Sequence, residues 1–149
     1  MSVTIRPVRP EEKARWEDMF RAYGKFYKMD LTPQTIETVW GWIFDEQEPF
    51  WCDVAEAEDG TLVGLTQYQL MHRSTAGGMV VYLSDLFVDP EQRGGGIGRG
   101  LIEHVIAFAK QRNIGLVRWL TQDFNYKGRM LYDSFAPKSD FILYQVPVK

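Results

Sequence analysis

Five glycines lie within seven residues, from Gly94 to Gly100, and an apolar helical pattern follows them directly. Glycine inside a helix costs about 1 kcal/mol relative to alanine, so this density at a helix start needs a reason. Without Cβ atoms the backbone closes around a phosphate and points successive N–H groups at it, while the helix dipole adds attraction. A tight turn needs only one or two glycines. The stretch therefore favours an anion-binding loop over a simple turn.

The glycine spacing fits neither of two common nucleotide-binding motifs. A Walker loop ends in Gly-Lys-Ser/Thr, whereas Arg99 follows Gly98 here. The dinucleotide motif needs glycines at positions i, i+2 and i+5, and no glycine of this loop has both partners. A third pattern, Arg/Gln-x-x-Gly-x-Gly/Ala, is satisfied by Arg93-Gly94-Gly95-Gly96-Ile97-Gly98.

A second segment lies downstream of the glycine loop. Leu120-Thr121 is followed by Asn125 and then by Leu131-Tyr132, with the tyrosine seven residues after the asparagine. Together with the loop and the preceding YLSDLFVDPEQ, this order resembles the GNAT superfamily of acyl-CoA-dependent N-acetyltransferases. The tail LTQDFNYKGRMLYDSFAPKSDFILYQV is similar to the histone and polyamine acetyltransferase subgroup, although Ser84 stands where the polyamine enzymes have glutamate.

The resemblance implies an activity and the residues that perform it. The expected reaction is direct attack of a primary amine, polyamine-like or peptide, on the thioester of acetyl-CoA, with no metal. The Leu86 N–H would polarise the thioester carbonyl, and the Tyr132 hydroxyl would protonate the departing thiolate. The predicted catalytic residues are Leu86 and Tyr132, and the predicted cofactor-binding residues are Leu86, Phe87, Val88, Arg93, Gly94, Gly95, Gly96, Gly98, Arg99 and Asn125.

Several of these roles have alternatives. Tyr132 is alternatively a helix residue packed in the core, and Asn125 is a common type of helix cap as well as a hydrogen-bonding partner for the pantetheine arm. A non-catalytic acyl-CoA sensor on the same fold is the alternative function. Such a sensor would need the glycine loop but would not need the Tyr132 hydroxyl.

The sequence offers no obvious general base to remove a proton from the incoming ammonium. Strict strand alternation places Asp85 on the face opposite Tyr82 and Leu86. A chain of water molecules is one alternative to a carboxylate base. Asp85 itself is alternatively a structural hydrogen-bond acceptor.

Hydrophobic periodicity predicts the elements that hold these residues. Helical spacing predicts two N-terminal helices, the second with Pro33 at its first position, and a third helix after the glycine loop. Predicted strands span residues 4–8, 51–58, 62–71, 79–88, 116–121 and 141–146, and a short helix spans 126–135. The prediction is a single domain, 1–149, with an α/β (α+β) fold. Its mixed, mostly antiparallel sheet is flanked by helices and, as the resemblance implies, splayed at the cofactor site.

Composition indicates the setting in which the protein works. The formal net charge of -3 argues against nucleic acid as the main partner. No apolar run approaches the roughly 20 residues that span a bilayer, and the N-terminus lacks the h-region of a signal peptide. Cys52 is the only cysteine, which excludes an internal disulfide and fits a cytoplasmic location.

The last predicted strand also suggests how the protein assembles. Residues 141–146 are apolar on both faces, which indicates that both faces are covered. The resembling subgroup often dimerises through this region. We therefore expect a homodimer.

Overall fold

The structure, a computed structural model that describes residues 2–149, is built around a five-stranded sheet with the strand order β1-β2-β3-β4-β5. The strands are β1 (Val3–Pro7), β2 (Phe50–Ala57), β3 (Leu62–Arg73), β4 (Gly78–Val88) and β5 (Val117–Trp119). The first four strands pair antiparallel, and only β4 and β5 run parallel. The predicted mixed, mostly antiparallel sheet is confirmed.

Helices lie between the strands at the predicted places. Within the described residues they are α1 (Lys13–Phe26), α2 (Pro33–Phe44), α3 (Ile97–Gln111) and α4 (Tyr126–Asp133). Pro33 starts α2 as predicted, and the Thr32 hydroxyl caps this helix by accepting a bond from the Thr35 N–H at 3.1 Å. No helix among residues 2–149 combines the length and the apolar character needed to cross a membrane.

The two faces of the sheet carry separate hydrophobic cores. Helices α1 and α2 cover one face, where Trp16, Met19 and Ile36 are fully buried against the sheet. Helix α3 covers the other face and buries Leu101, Ile102 and Val105. The helices α1, α2 and α3 thus bury most of their apolar stripes, and the sheet is fixed from both sides.

Strand β5 is shorter than the predicted strand over 116–121. It pairs with β4 only from Val81↔Val117 to Leu83↔Trp119, and beyond this point the two strands diverge. β4 meanwhile continues to Val88, held on its other edge by β3. The predicted strand fails after Trp119 because it has no partner there, and the divergence splays the sheet.

The prediction of a final strand over residues 141–146 is wrong. These residues have no regular secondary structure, and Phe141 and Tyr144 are 84% and 83% exposed. A strand needs a neighbour for its backbone hydrogen bonds, and within residues 2–149 no strand pairs with this segment.

A buried carboxylate lies between the sheet and α3. Asp53 of β2 accepts a hydrogen bond from the Tyr68 hydroxyl at 2.6 Å, and its Oδ2 lies 3.3 Å from Nε2 of His104 on α3. The hydrogen bond to Asp53 raises the pKa of His104, although burial of the imidazole opposes the shift. Asp53 is therefore provided with both a hydroxyl donor and a partner that carries positive charge when protonated.

Candidate active site

The splay between β4 and β5 opens a cleft of about 960 Å³. Strand β4, the glycine loop, the far end of α1 and the start of α4 form its walls. The predicted residues that line it are Leu86, Phe87, Val88, Arg93, Gly94, Gly96, Gly98, Arg99, Asn125 and Tyr132. Gly95 is the predicted site residue that does not line the cleft. The volume lies within the range of small-molecule and cofactor sites.

The backbone of β4 presents hydrogen-bonding groups to this cleft. The Asp89 N–H donates to the Val63 carbonyl on the β3 side at 2.9 Å, which fixes the alternation of the antiparallel ladder. The N–H and C=O groups of Phe87 therefore face β3, whereas those of Leu86 and Val88 face the side from which β5 has diverged. Leu86 has an N–H available at the predicted position.

The glycine loop supplies a second set of backbone donors. Gly94 and Gly96 adopt φ of 90° and 82°, a left-handed conformation that disfavours other residues. Gly96 is the N-cap of α3, and the first helical bond runs from the Gly100 N–H to its carbonyl at 3.0 Å. The N–H groups of Ile97, Gly98 and Arg99 therefore have no acceptor within the helix, at the positive end of its dipole.

Two arginines flank these donors. Arg93 Nε donates to the Val88 carbonyl at 3.1 Å, which ties the start of the loop to the end of β4. The Arg99 guanidinium bonds to the Ser134 hydroxyl and lies 4.6 Å from the ring centroid of Phe135. Both side chains thus hold positive charge at the mouth of the cleft, where it favours an anionic group.

Asn125 acts as a helix cap. Its Oδ1 accepts from the Gly128 N–H at 3.2 Å, and its Nδ2 donates to the Thr121 hydroxyl at 3.0 Å. A Cβ at position 128 would lie 2.5 Å from Asn125 Nδ2, so glycine is required there. The same asparagine lines the cleft. Asn125 thus caps α4, which was its alternative role, and it does so at the edge of the predicted cofactor site.

Tyr132 lies where β4 and β5 separate. Its ring meets that of Trp119 edge-on, with 5.6 Å between the centroids, and it lines both the cleft and a small adjoining pocket. Burial raises the pKa of Tyr132 to about 12, and the neighbouring Tyr27 adds to the shift. The hydroxyl is accordingly protonated throughout the neutral range.

Three aromatic residues at the C-terminal end of α1 reach the cleft, which the pattern of apolar residues does not predict. Tyr23, Phe26 and Tyr27 continue the apolar stripe of the helix, which predicts core positions. The stripe instead extends past the sheet edge, so that Phe26 is 54% exposed and all three line the cleft. Tyr23 and Tyr27 also line the small pocket, together with Leu86 and Tyr132.

A β-bulge at Ser84 corrects the predicted facing of β4. The register with β3 shifts there, because Gln67 pairs with Asp85 but Tyr68 pairs with Leu83. Leu83 and Leu86 consequently pack into the same cluster under α3, although strict alternation would separate them. Asp85 stays on the face opposite Leu86, as predicted, but it shares that face with Tyr82.

Comparison with known proteins assigns the family. A model of the Acetyltransferase (GNAT) family matches residues 16–136. The chain belongs to the GNAT family. The predicted fold and enzyme class are confirmed, and this N-acetyltransferase is an acyltransferase.

Relatives with known activities cover almost the whole GNAT chain. A D-amino-acid N-acetyltransferase of Saccharomyces cerevisiae is 28% identical over 144 residues, 96% of this chain and 89% of that protein. A thialysine N-epsilon-acetyltransferase of Mus musculus is 30% identical over 139 residues, 88% of this chain and 81% of the relative. The solved structure of a ribosomal-protein-alanine N-acetyltransferase from Brucella melitensis has a TM-score of 0.83. It covers 99% of this chain and 100% of its own at 19% identity, which shows a shared fold alone.

Proposed function

We propose that the protein transfers an acetyl group from acetyl-CoA to the primary amine of a small molecule. The observation that supports the proposal is that the groups needed for acetyl transfer border one cleft. The open N–H of Leu86, the N–H groups at the start of α3 and the residue Tyr132 all border the space that the splayed strands leave. These are the groups that a thioester carbonyl, a pyrophosphate and a departing thiolate require.

The residues present suit coenzyme A along its length. Two loop glycines with positive φ and the start of α3 form a cradle for the pyrophosphate, with Arg93 and Arg99 beside it. The open N–H and C=O groups of Leu86 and the N–H group of Val88 would pair with the pantetheine amides as a neighbouring strand does, while the Val88 carbonyl already accepts from Arg93. Asn125 borders the same path, although its amide also caps α4.

Each catalytic residue acts on a defined atom. Acetyl-CoA supplies a thioester, whose carbonyl carbon is open to attack by an uncharged amine. The Leu86 N–H donates to the carbonyl oxygen as charge develops there, an effect worth about 3 kcal/mol for one such donor. Tyr132 donates its hydroxyl proton to the departing sulfur, and its phenolate then takes the proton that the new amide nitrogen loses.

The relatives and the composition support a small amine as acceptor. The names of the two sequence relatives describe acetylation of D-amino acids and of thialysine, both small amines. The formal net charge of -3 is compatible with a cationic acceptor and disfavours nucleic acid as a partner. The single buried cysteine, Cys52, needs no oxidising compartment, which supports a cytoplasmic location.

We also propose that two copies of the chain associate through the C-terminal segment, residues 141–148. Phe141, Tyr144 and Val148 are 84%, 83% and 92% exposed, and other apolar side chains lie between them. Exposing so many neighbouring apolar side chains to water is unfavourable. Such a stretch is typical of an interaction surface. A second copy would cover the segment and supply the strand neighbour that it lacks.

Gly96→Asp tests the cradle. The new carboxylate would face the pyrophosphate, and two like charges about 4 Å apart near a protein surface repel by about 4 kcal/mol. We expect calorimetry to show coenzyme A binding weakened by at least about 100-fold. Gly77→Asp is the matched control, because Gly77 also has a positive φ of 61° but lies in the β3–β4 connection. Unchanged affinity of Gly96→Asp would place the pyrophosphate elsewhere.

Tyr132→Phe tests the proton donor. Without the hydroxyl, turnover on the best amine should fall by about 10²-fold, whereas the dissociation constant of acetyl-CoA should stay within about twofold because the ring packing remains. The measurement is thiol release, with cofactor binding determined in parallel. Equal turnover of parent and variant would remove Tyr132 from the chemistry. Absence of amine-dependent thiol release from the parent would favour the sensor over the enzyme.

Light scattering tests the assembly. At micromolar concentration we expect twice the monomer mass for the parent and the monomer mass for Leu143→Asp, because a charge in the segment prevents its burial. Met71→Asp is the control, since Met71 is an exposed apolar residue at the end of β3. A monomeric parent would contradict the proposed dimer.

A further inference from the structure

Two aspartates of the sheet are shielded from solvent to different extents, and only one of them has a basic partner among the described residues. Asp53 is buried and lies 3.3 Å from His104. Asp85 is partly buried, and no ion pair within residues 2–149 includes it. A desolvated carboxylate without a cation is costly and tends either to take up a proton or to bind a positive group. Asp85 is therefore available to an incoming cation.

Hydrogen bonds hold Asp85 in a fixed orientation. Trp16 Nε1 donates to Gln67 Oε1 at 2.8 Å, and Gln67 Nε2 donates to Asp85 Oδ2 at 2.8 Å. Trp16 and Gln67 are both 0% exposed. Because the tryptophan N–H can only donate, it fixes which end of the glutamine amide faces Asp85. One oxygen of Asp85 is thereby engaged as an acceptor.

Tyr23 lies between this partly buried carboxylate and the cleft. Its hydroxyl donates to the Ser84 carbonyl oxygen at 3.3 Å. Burial, together with the neighbouring Asp85 carboxylate, raises the pKa of Tyr23. Tyr23 also lines the small pocket beside Leu86 and Tyr132, whereas Asp85 does not. Tyr23 is therefore the residue that lies between Asp85 and the reacting groups in the pocket.

We propose that Tyr23 and Asp85 form the proton-accepting pair that converts a bound ammonium acceptor into the free amine, an inference that rests on the proposed acetyl transfer. Tyr23 touches the acceptor nitrogen. Asp85 acts through Tyr23, and Gln67 and Trp16 position Asp85. The acceptor class is accordingly a basic primary amine that arrives protonated.

The proton transfer balances. The Tyr23 hydroxyl turns from the Ser84 carbonyl to Asp85. One N–H bond of the ammonium then breaks, and its proton passes to the Tyr23 oxygen while the Tyr23 hydroxyl proton passes to the Asp85 carboxylate. The products are an uncharged amine and a neutral carboxylic acid, and Tyr23 ends unchanged. The later proton exchange at the leaving sulfur involves Tyr132 alone, so the two tyrosines have separate tasks.

The other titratable groups around the pair are Tyr82 on β4, Cys52 on β2, and Tyr27 and Tyr132 beside Tyr23. Burial raises the pKa of Tyr82 and of the Cys52 thiol. Burial also raises the pKa of Asp85, and the hydrogen bond from Gln67 and the nearby Tyr23 hydroxyl oppose the shift. A raised carboxyl pKa brings the acceptor closer to the operating pH, which suits proton transfer from an ammonium.

The test is the pH dependence of kcat/KM for an alkyl amine, compared between the parent and Asp85→Asn. We expect the parent profile to level off once the pair is ionised. The variant should rise about tenfold per pH unit towards the pKa of the amine, because only acceptor already deprotonated in solution reacts. The loss should be about 10²-fold at neutral pH and should shrink at high pH. Tyr23→Phe should show the same profile as Asp85→Asn, and neither variant should change acetyl-CoA affinity.

A second acceptor and a control separate chemistry from structure. A weakly basic analogue, with an electron-withdrawing group beside the nitrogen, is uncharged at neutral pH and should react equally with parent and variant. Asp53→Asn should lower Tm but keep the parent pH profile, whereas Asp85→Asn should keep Tm, because asparagine still accepts the Gln67 bond and the burial of a charge is avoided.

The outcomes that overturn the inference are distinct from failure of the proposed function. A loss that is the same at every pH and for both acceptors would make Asp85 structural. A parent-like profile for Tyr23→Phe would remove Tyr23 from the path. A parent that acetylates no amine would instead overturn the proposed function, and this inference with it.

Discussion

The site depends on one constraint, the short parallel pairing of β4 and β5. The pairing ends at Leu83 and Trp119, while β3 pairs with four further residues of β4, Asp85 to Val88. A strand fixed along one edge keeps its extended form when the other edge loses its neighbour. The N–H and C=O groups of Leu86 and the N–H group of Val88 therefore have no strand partner along the cleft, while the Val88 carbonyl accepts from Arg93. Backbone groups that lack a partner are costly away from water. A ligand that pairs with them recovers that cost.

The glycine loop and the two hydrophobic cores follow from this constraint. Because α3 starts directly after β4 and its loop, its N-terminus must lie beside the open end of the strand. Gly98 allows α4 to pack closely against this N-terminus, since a Cβ there would lie 3.3 Å from Leu131 on α4. Separate cores under α1–α2 and under α3 keep the two sides of the cleft apart. The stability of the fold thus does not require the cleft to close.

The sequence predicted the parts of the site that depend on local patterns. The glycine spacing located the loop and the start of α3, and the Asn125-to-Tyr132 spacing located two residues that line the cleft. It could not predict the bulge at Ser84, because a one-residue register shift depends on pairing with β3 rather than on β4 itself. Tyr23 belongs to the apolar stripe of α1, and periodicity does not reveal where a helix extends past the sheet. The segment 141–146 has a strand pattern, but a pattern cannot supply the neighbour that a strand needs.

The most direct measurement is a crystal structure of the protein with coenzyme A bound. The central claim is that the unpaired end of β4 and the start of α3 bind one ligand. The account predicts pyrophosphate oxygens within about 3.2 Å of the loop N–H groups, and pantetheine amides paired with the backbone of Leu86 and Val88. The sulfur should lie beside Tyr132. Coenzyme A bound elsewhere, or in the cleft without contact to the β4 backbone, would contradict it.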